Sequence, residues 1–173
     1  MSSDTFTTAM FLITAVIAAG VLINPVFPVV FQMASTFSSA THSSDVRLRT
    51  DFVIVTTFAN PGSGIGQIYM KNIGSQSISV SEIKSSDVFF GLTGTYKRLD
   101  YTGTVSDGTW KYTLHDLNTP PNNYWDPGET LEIDAGNSDI NAQNIAAQGG
   151  MVYFQFILPN GVWRSTQFTA SNI

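Results

Sequence analysis

"GVLINPVFPVVFQ", Gly20 to Gln32, sets an asparagine and two prolines inside the most apolar run of the chain. Whether a helix ends, bends or unravels there decides where everything downstream is placed. Upstream, Phe6 to Ile23 reads FTTAMFLITAVIAAGVLI, 18 residues without a charge, which as a helix spans about 27 Å and nearly matches a bilayer's hydrocarbon core. The "SSDT" at residues 2 to 5 offers Ser3 or Asp4 to the first orphan amides and an anion to the positive end of the dipole. Pro25 and Pro28 each lack an amide hydrogen and clash with the carbonyl four residues back, so they kink a helix or end it. Beyond them Val26, Val30, Met33 and Phe37 follow helical spacing, with Phe27, Phe31 and Ala34 alongside. The pattern predicts one long apolar helix over residues 1–40, kinked near 24–28 at Asn24, Pro25 and Pro28.

Straight, Phe6 to Phe31 would measure about 39 Å, more than the core needs, so its second half is expected to emerge and pack on protein. Ala15 with Ala19, and Thr14 with Ala18, have the four-residue spacing that lets helices approach closely. Gly20 lies beside them, making Ala15, Ala18, Ala19 and Gly20 the candidate helix-packing residues. A cleaved secretory signal needs a basic n-region. No Lys or Arg precedes this run, which favours a retained segment. The first bases, Arg47 and Arg49, stand too far past Ile23 to orient it by charge.

Charge divides the chain of 173 residues in two. Asp4 is the only one of the 21 Lys, Arg, Asp and Glu side chains to lie in the first 44 positions. The net charge of −5, from 13 acids against 8 bases with no basic stripe, argues against nucleic acid as a partner. With no cysteine there is no disulfide framework, thiolate metal site or cysteine nucleophile.

After the Ser/Thr-rich "STFSSATHSSD" the pattern changes to period two. Residues 41–50 read as a connection and 51–173 as one β-domain. Strand-like runs cover Arg49–Ala59, Gly66–Asn72, Ser77–Ile83, Val88–Leu92, Thr95–Tyr101, Thr109–Leu114, Thr130–Asp134, Met151–Leu158 and Val162–Thr169. Asn160-Gly161 in "LPNGVW" joins the last two as a hairpin, and "INAQNIAAQ" at Ile140–Gln148 has room for a turn or two of helix. The expected class is mostly β, an immunoglobulin-like antiparallel sandwich, with a closed barrel as the alternative. Alternation puts Val152, Phe154 and Phe156 on one face, and turns Leu131 and Ile133 inward with Glu132 and Asp134 outward.

No catalytic constellation is legible. "PGSGIGQ" at Pro61–Gln67 has glycines every second residue and runs into a strand, not the GxGxxG of a dinucleotide loop. Asp126, Glu129, Glu132, Asp134 and Asp139 form the densest acidic stretch, but they lack the alternating ligands of an EF-hand. The two histidines, His42 and His115, lie in different segments. The reading is of a non-enzymatic chain without metal, cofactor or small-molecule substrate. A membrane-anchored hydrolase or carbohydrate-binding module draws only on the acidic loop and exposed aromatics.

"AAGVLINPVFPVVFQM", "KNIGSQSISVSEI", "WDPGETLEI" and "VYFQFILPNGVWRS" together resemble the archaellum accessory protein G family, FlaG or ArlG, of type IV pilin-like and archaellin-like architecture. The physical roles expected of these motifs are turns at Asn72-Gly74 and Pro127-Gly128 and large apolar packing by Trp125 and Trp163. The resemblance implies a single-pass protein of the archaeal cell membrane with its C-terminal domain in the extracytoplasmic, pseudoperiplasmic space. It implies a stator-like or anchoring part in archaellum-driven motility. The implied partners are copies of itself, as oligomer or homopolymer, and the companion accessory protein F, which contacts the surface layer. The alternative is a pilin-like or archaellin-like filament subunit or surface adhesin. The chain departs from leader-bearing pilins and archaellins in having no basic leader before Met1.

Overall fold

A computed structural model describes residues 2–170. The chain divides into two compact units, Met1–Ser44 and Asp45–Ile173. Helix α1, Ser2–Arg49, runs through both prolines without ending. Pro25 and Pro28 remove the amides that would have bonded the carbonyls of Val21 and Asn24, yet the flanking turns hold. Because the helix is already formed at Ser2, Ser3 lies inside it, and Asp4 occupies the first turn beside the positive dipole end.

The helix also passes the expected stop at 40. Residues 41–49, read as part of a connection, are helical, and only Thr50 and Asp51 separate α1 from the first strand. The Ser/Thr-rich composition misleads because these hydroxyls satisfy themselves within the helix. Thr36, Thr41 and Ser43 donate to the carbonyls of Gln32, Phe37 and Ser39 at 2.8, 2.8 and 3.0 Å.

The second unit contains ten strands: β1 Phe52–Asn60, β2 Ile65–Asn72, β3 Ile78–Ser79, β4 Asp87–Leu92, β5 Lys97–Tyr101, β6 Thr109–His115, β7 Tyr124–Trp125, β8 Thr130–Gly136, β9 Met151–Ile157 and β10 Trp163–Thr169. Two short helices interrupt them, α2 Val80–Lys84 and α3 Ala142–Gln148. Eight strands follow the order β1-β2-β8-β6-β5-β4-β9-β10, and β3 pairs with β7. The short β5 turns the corner. It runs antiparallel to β4 at Val88↔Leu99 and parallel to β6 at Tyr101↔Trp110, the one parallel pair among the described residues. The result is a two-layer antiparallel sandwich, β1-β2-β8-β6 facing β4-β9-β10.

The run read as a strand over Ser77–Ile83 keeps only two strand residues before α2. Ser79 caps that helix: its hydroxyl accepts from the Glu82 amide, and the Glu82 carboxylate accepts from the Ser79 amide. This S-x-x-E capping box outweighs the β-branched composition. The core follows the alternation. Ile68, Met70, Leu131, Ile133 and Trp110 from one layer meet Val88, Phe90, Val152, Phe154 and Phe156 from the other, all fully buried. Phe156 is central, edge-on to Phe52 at 5.6 Å and to Trp110 at 6.3 Å. Gly66 leaves the space that the Phe90 ring fills.

Phe156→Ala removes the ring shared by the two layers and is expected to cost about 3–5 kcal/mol, read from the midpoint of chemical denaturation at unchanged slope. Gly66→Ala, which drives a methyl into the Phe90 ring, is expected to cost roughly 1–3 kcal/mol by overpacking, with Phe90→Leu in the same chain restoring part of the loss.

Candidate functional site

Three features of the molecule bear on function: the surface of α1, the point where the chain enters the sandwich, and the outward faces of the two layers. Along α1 the large apolar side chains are exposed within the first unit. Phe11, Val21, Leu22, Phe31 and Phe37 are 68–75% exposed, and this helix is long and apolar enough to cross a membrane. Apolar surface of this extent is stable only against lipid or another protein. Ala18 lines a shallow apolar groove with Thr14, Ile17, Val21, Leu22 and Pro25. Ala15, Ala19 and Gly20 are exposed on the same helix, and a methyl added at Gly20 would meet nothing within 4 Å. Asn24, Pro25 and Pro28 lie mid-helix and exposed.

The entry to the sandwich is held by hydrogen bonds from two distant turns. The amides of Ser75 and Gln76 donate to the Arg49 carbonyl at 2.9 and 3.2 Å, and those of Ile73 and Gly74 donate to the Asp51 carbonyl at 3.0 and 2.9 Å. Those carbonyls at the helix C-terminus would otherwise lack donors. Gly74 packs so closely on this backbone that no side chain fits. From the β9–β10 hairpin, Asn160 Nδ2 donates to Thr50 Oγ1 at 3.0 Å, and Arg164 pairs with Asp51 while lying over the Phe52 ring. "KNIGS" and "NGVWR", distant in sequence, thus meet at residues 49–52.

"WDPGET" joins the same region. The Asn72 carbonyl accepts from the Gly128 amide at 2.8 Å, and Asn72 Nδ2 donates to the carbonyls of Gln76 and Trp125 at 2.9 Å. Trp125 is fully buried against Phe52, as expected of a packing residue. Trp163 is not: it is 51% exposed on β10.

The acidic stretch does not assemble as a cation site, and among the described residues no group of three or more potential ligands could hold a metal ion. Glu129 is buried and serves the loop itself. Its carboxylate accepts from the amides of Leu117 and Asp126 at 2.8 and 2.9 Å and from Asn118 Nδ2 at 3.2 Å. Asp126 accepts from Asn122 Nδ2 at 2.7 Å and Asn118 Nδ2 at 3.0 Å. Hydrogen bonds, first from the Ser77 side chain and then from Asn122, hold its carboxyl below the ordinary 3.8. Asp139 lies elsewhere, 3.1 Å from Lys97 Nζ.

Glu132 and Asp134 do point away from the core, but Asp134 is only 6% exposed. Its Oδ2 pairs with Lys111 Nζ at 3.1 Å, while Oδ1 is buried with no hydrogen-bond partner among the described residues. His115 reaches across the sheet to Glu132, Nε2 to Oε2 at 3.0 Å, and stacks on Tyr69, whose hydroxyl donates to Glu132 Oε1 at 3.1 Å. Burial first, and then Glu132, push the Tyr69 hydroxyl above its ordinary pKa. Residue patterns within each strand carry no sign of this trio, because its members come from β2, β6 and β8. His42 is exposed in α1.

Glu129→Gln turns two carboxylate acceptors into one acceptor and one donor facing N–H groups. The expected loss is about 1–3 kcal/mol, measured by thermal or chemical unfolding. Asp126 has a depressed folded pKa, so its stabilisation is present above the unfolded value and is lost as pH falls through the folded one. Asn122→Ala is expected to raise the Asp126 carboxyl pKa in an NMR titration and to start acid unfolding at a higher pH.

The model of the archaeal-type flagellin family matches residues 8–168. The archaellum periplasmic stator protein FlaG from Sulfolobus acidocaldarius is 26% identical at a TM-score of 0.53, covering 69% of this chain and 99% of that one. FlaG's neighbourhood extends to a stator protein complex of FlaF and FlaG from the same organism, matched at 25% identity and a TM-score of 0.52 over 68% of this chain and 87% of that one. The archaeal flagellum of Methanospirillum hungatei shares the fold across the whole length, with a TM-score of 0.64 at 14% identity and coverage of 96% and 93%. An apolar helix followed by an antiparallel sandwich, with the family model matched over residues 8–168, makes this chain an archaellum-related member of the archaeal-type flagellin family.

Proposed function

We propose that the protein is a stator-like, anchoring component of the archaellum. In this reading α1 crosses the cell membrane once and the sandwich lies on the extracytoplasmic side, where it self-associates and binds a companion accessory protein. One observation carries the proposal: the chain resembles FlaG over 99% of that protein's solved length at 26% identity. The companion is proposed from the FlaF and FlaG complex.

Within the membrane, Ala15, Ala18, Ala19 and Gly20 are proposed to let a second helix approach closely, and Asn24, Pro25 and Pro28 to bend α1 near a membrane face. No step of the role requires catalysis, metal or cofactor. The family's description as archaeal-type flagellin favours a second reading, a filament or adhesin subunit.

A clean deletion is expected to leave archaella assembled, wholly or in part, but to impair their rotation. Normal swimming would contradict the anchoring role, and purified filaments composed mainly of this chain would establish the filament reading. Affinity capture of the full chain from detergent-solubilised membranes is expected to recover the companion accessory protein F. Placing a charge at the helix centre, Ile17→Asp, opposes insertion by about 2.5–3.5 kcal/mol and is expected to reduce the membrane-bound fraction on flotation.

A further inference from the structure

The division between the two units falls inside α1, between Ser44 and Asp45, where the helix itself is unbroken. On either side of this point the helix is secured by different means. Toward the sandwich, Val46 is half-buried and Thr50 buried. The Thr50 amide donates to the Val46 carbonyl at 3.0 Å, and the carbonyls of Arg49 and Asp51 accept from amides of the β2–β3 turn. The last turn of α1 thus belongs to the sandwich. Toward the N-terminus, Met33 and Phe37 are exposed, apolar side chains that lipid or another protein has to cover.

Residues 38–44, SSATHSS, have neither kind of support. Every side chain in this stretch is exposed, and none is large and apolar, so no hydrophobic gain draws it into lipid or onto protein. Ser, Thr and His are weaker helix formers than Ala, and Ala40 is the single strong one among them. The stretch holds no Lys, Arg, Asp or Glu to pair at four-residue spacing; the Asp45–Arg49 ion pair, at 3.7 Å, lies beyond it. Thr41 and Ser43 bond back to the carbonyls of Phe37 and Ser39, which satisfies the hydroxyls but slightly weakens and bends a helix. A helical segment this short, with no tertiary packing, is marginal in water.

We propose that residues 38–44 are a hinge, a helical segment that opens and re-forms while the helix on both sides stays folded. Opening exposes no apolar surface and regains backbone entropy, and the amides it releases find water. Both ends are bounded. Fraying past Asp45 would uncover Thr50 and take the Arg49 carbonyl and the Thr50 hydroxyl from their partners at Ser75, Gln76 and Asn160. Fraying back past Phe37 would carry unpaired amides and carbonyls into lipid, where they are costly; at this end the inference rests on the membrane-held reading above. Local opening of this kind is confined to segments with exposed backbone hydrogen bonds and few buried contacts, and here it frees the orientation of the sandwich from that of the anchor without unfolding either.

The full-length chain is reconstituted into phosphatidylcholine vesicles and followed by amide hydrogen exchange with mass spectrometry. In a helix the amides of residues 42–45 bond to the carbonyls of 38–41, so they report the opening. They are expected to exchange at least a hundredfold faster than the amides of 49–50 and of 30–36. Replacing Ser38, Ser39, Ser43 and Ser44 together by Ala raises helix propensity without adding a contact. The four-alanine chain is expected to exchange at 42–45 at least tenfold more slowly, with 49–50 unchanged. Protection at 42–45 equal to that at 49–50 would overturn the hinge. So would a four-alanine chain, helical by circular dichroism, that exchanges there as fast as the parent. Flotation of the same vesicles is scored separately: failure to float contradicts the anchor, whereas uniform protection over 42–50 among floated copies contradicts the hinge.

Discussion

The contact of Phe156 with Phe52 and Trp110 holds the second unit together and also determines where the chain enters it. Phe52 is the first residue of β1, and only two residues separate it from the last turn of α1. Burying its ring between Phe156 and Trp125 therefore brings Arg49, Thr50 and Asp51 to the β2–β3 turn and the β9–β10 hairpin. The carbonyls of Arg49 and Asp51 find donors there, as backbone groups at a helix end require. Layer packing and chain entry are one physical event.

This coupling explains why the motifs that carry the family resemblance are scattered along the chain. Asn72 and Gly74, Pro127-Gly128 and Asn160-Gly161 look like independent turns, and each has a local reason to be one. In the folded chain the first and third brace residues 49–52, while the second braces Asn72 and, through Trp125, the ring of Phe52. A turn that only reversed the chain would tolerate many sequences. One that must also present amides to particular carbonyls tolerates few.

Most of the strands were legible because alternation is a direct consequence of a half-buried pleat, and the hairpin because Asn-Gly supplies the required positive φ, seen at Gly161. The errors have physical causes of their own. Ser and Thr over 35–43 look like a linker by composition, but in a helix their hydroxyls bond back to the preceding turn, so the composition does not end it. Ser79 and Glu82 stand in a run of β-type composition, but their spacing is that of a capping box. The His115–Glu132–Tyr69 trio and the buried role of Glu129 depend on strand order and loop closure, which no single window of sequence contains. Trp163 shows the same limit, since its size suggested burial while its position on the strand turned it outward.

The two units differ in what satisfies them. The sandwich buries its aromatic core and pairs most of its charges within itself. In α1 the backbone and several Ser and Thr hydroxyls bond within the helix, while the large apolar side chains lie exposed in the first unit. Its side chains from Phe6 to Phe37 are exposed, and their stability has to come from lipid or from other helices. Helical continuity through Pro25 and Pro28 matters for this reason. A chain that unravelled at Asn24 would leave amides and carbonyls unpaired within the apolar run, at several kcal/mol for each such group in lipid. Two prolines inside a continuous helix, by contrast, leave unpaired only the two carbonyls that their missing amides would have met. The stretch from Gly20 to Gln32 thus interrupts the amide pattern without interrupting the helix.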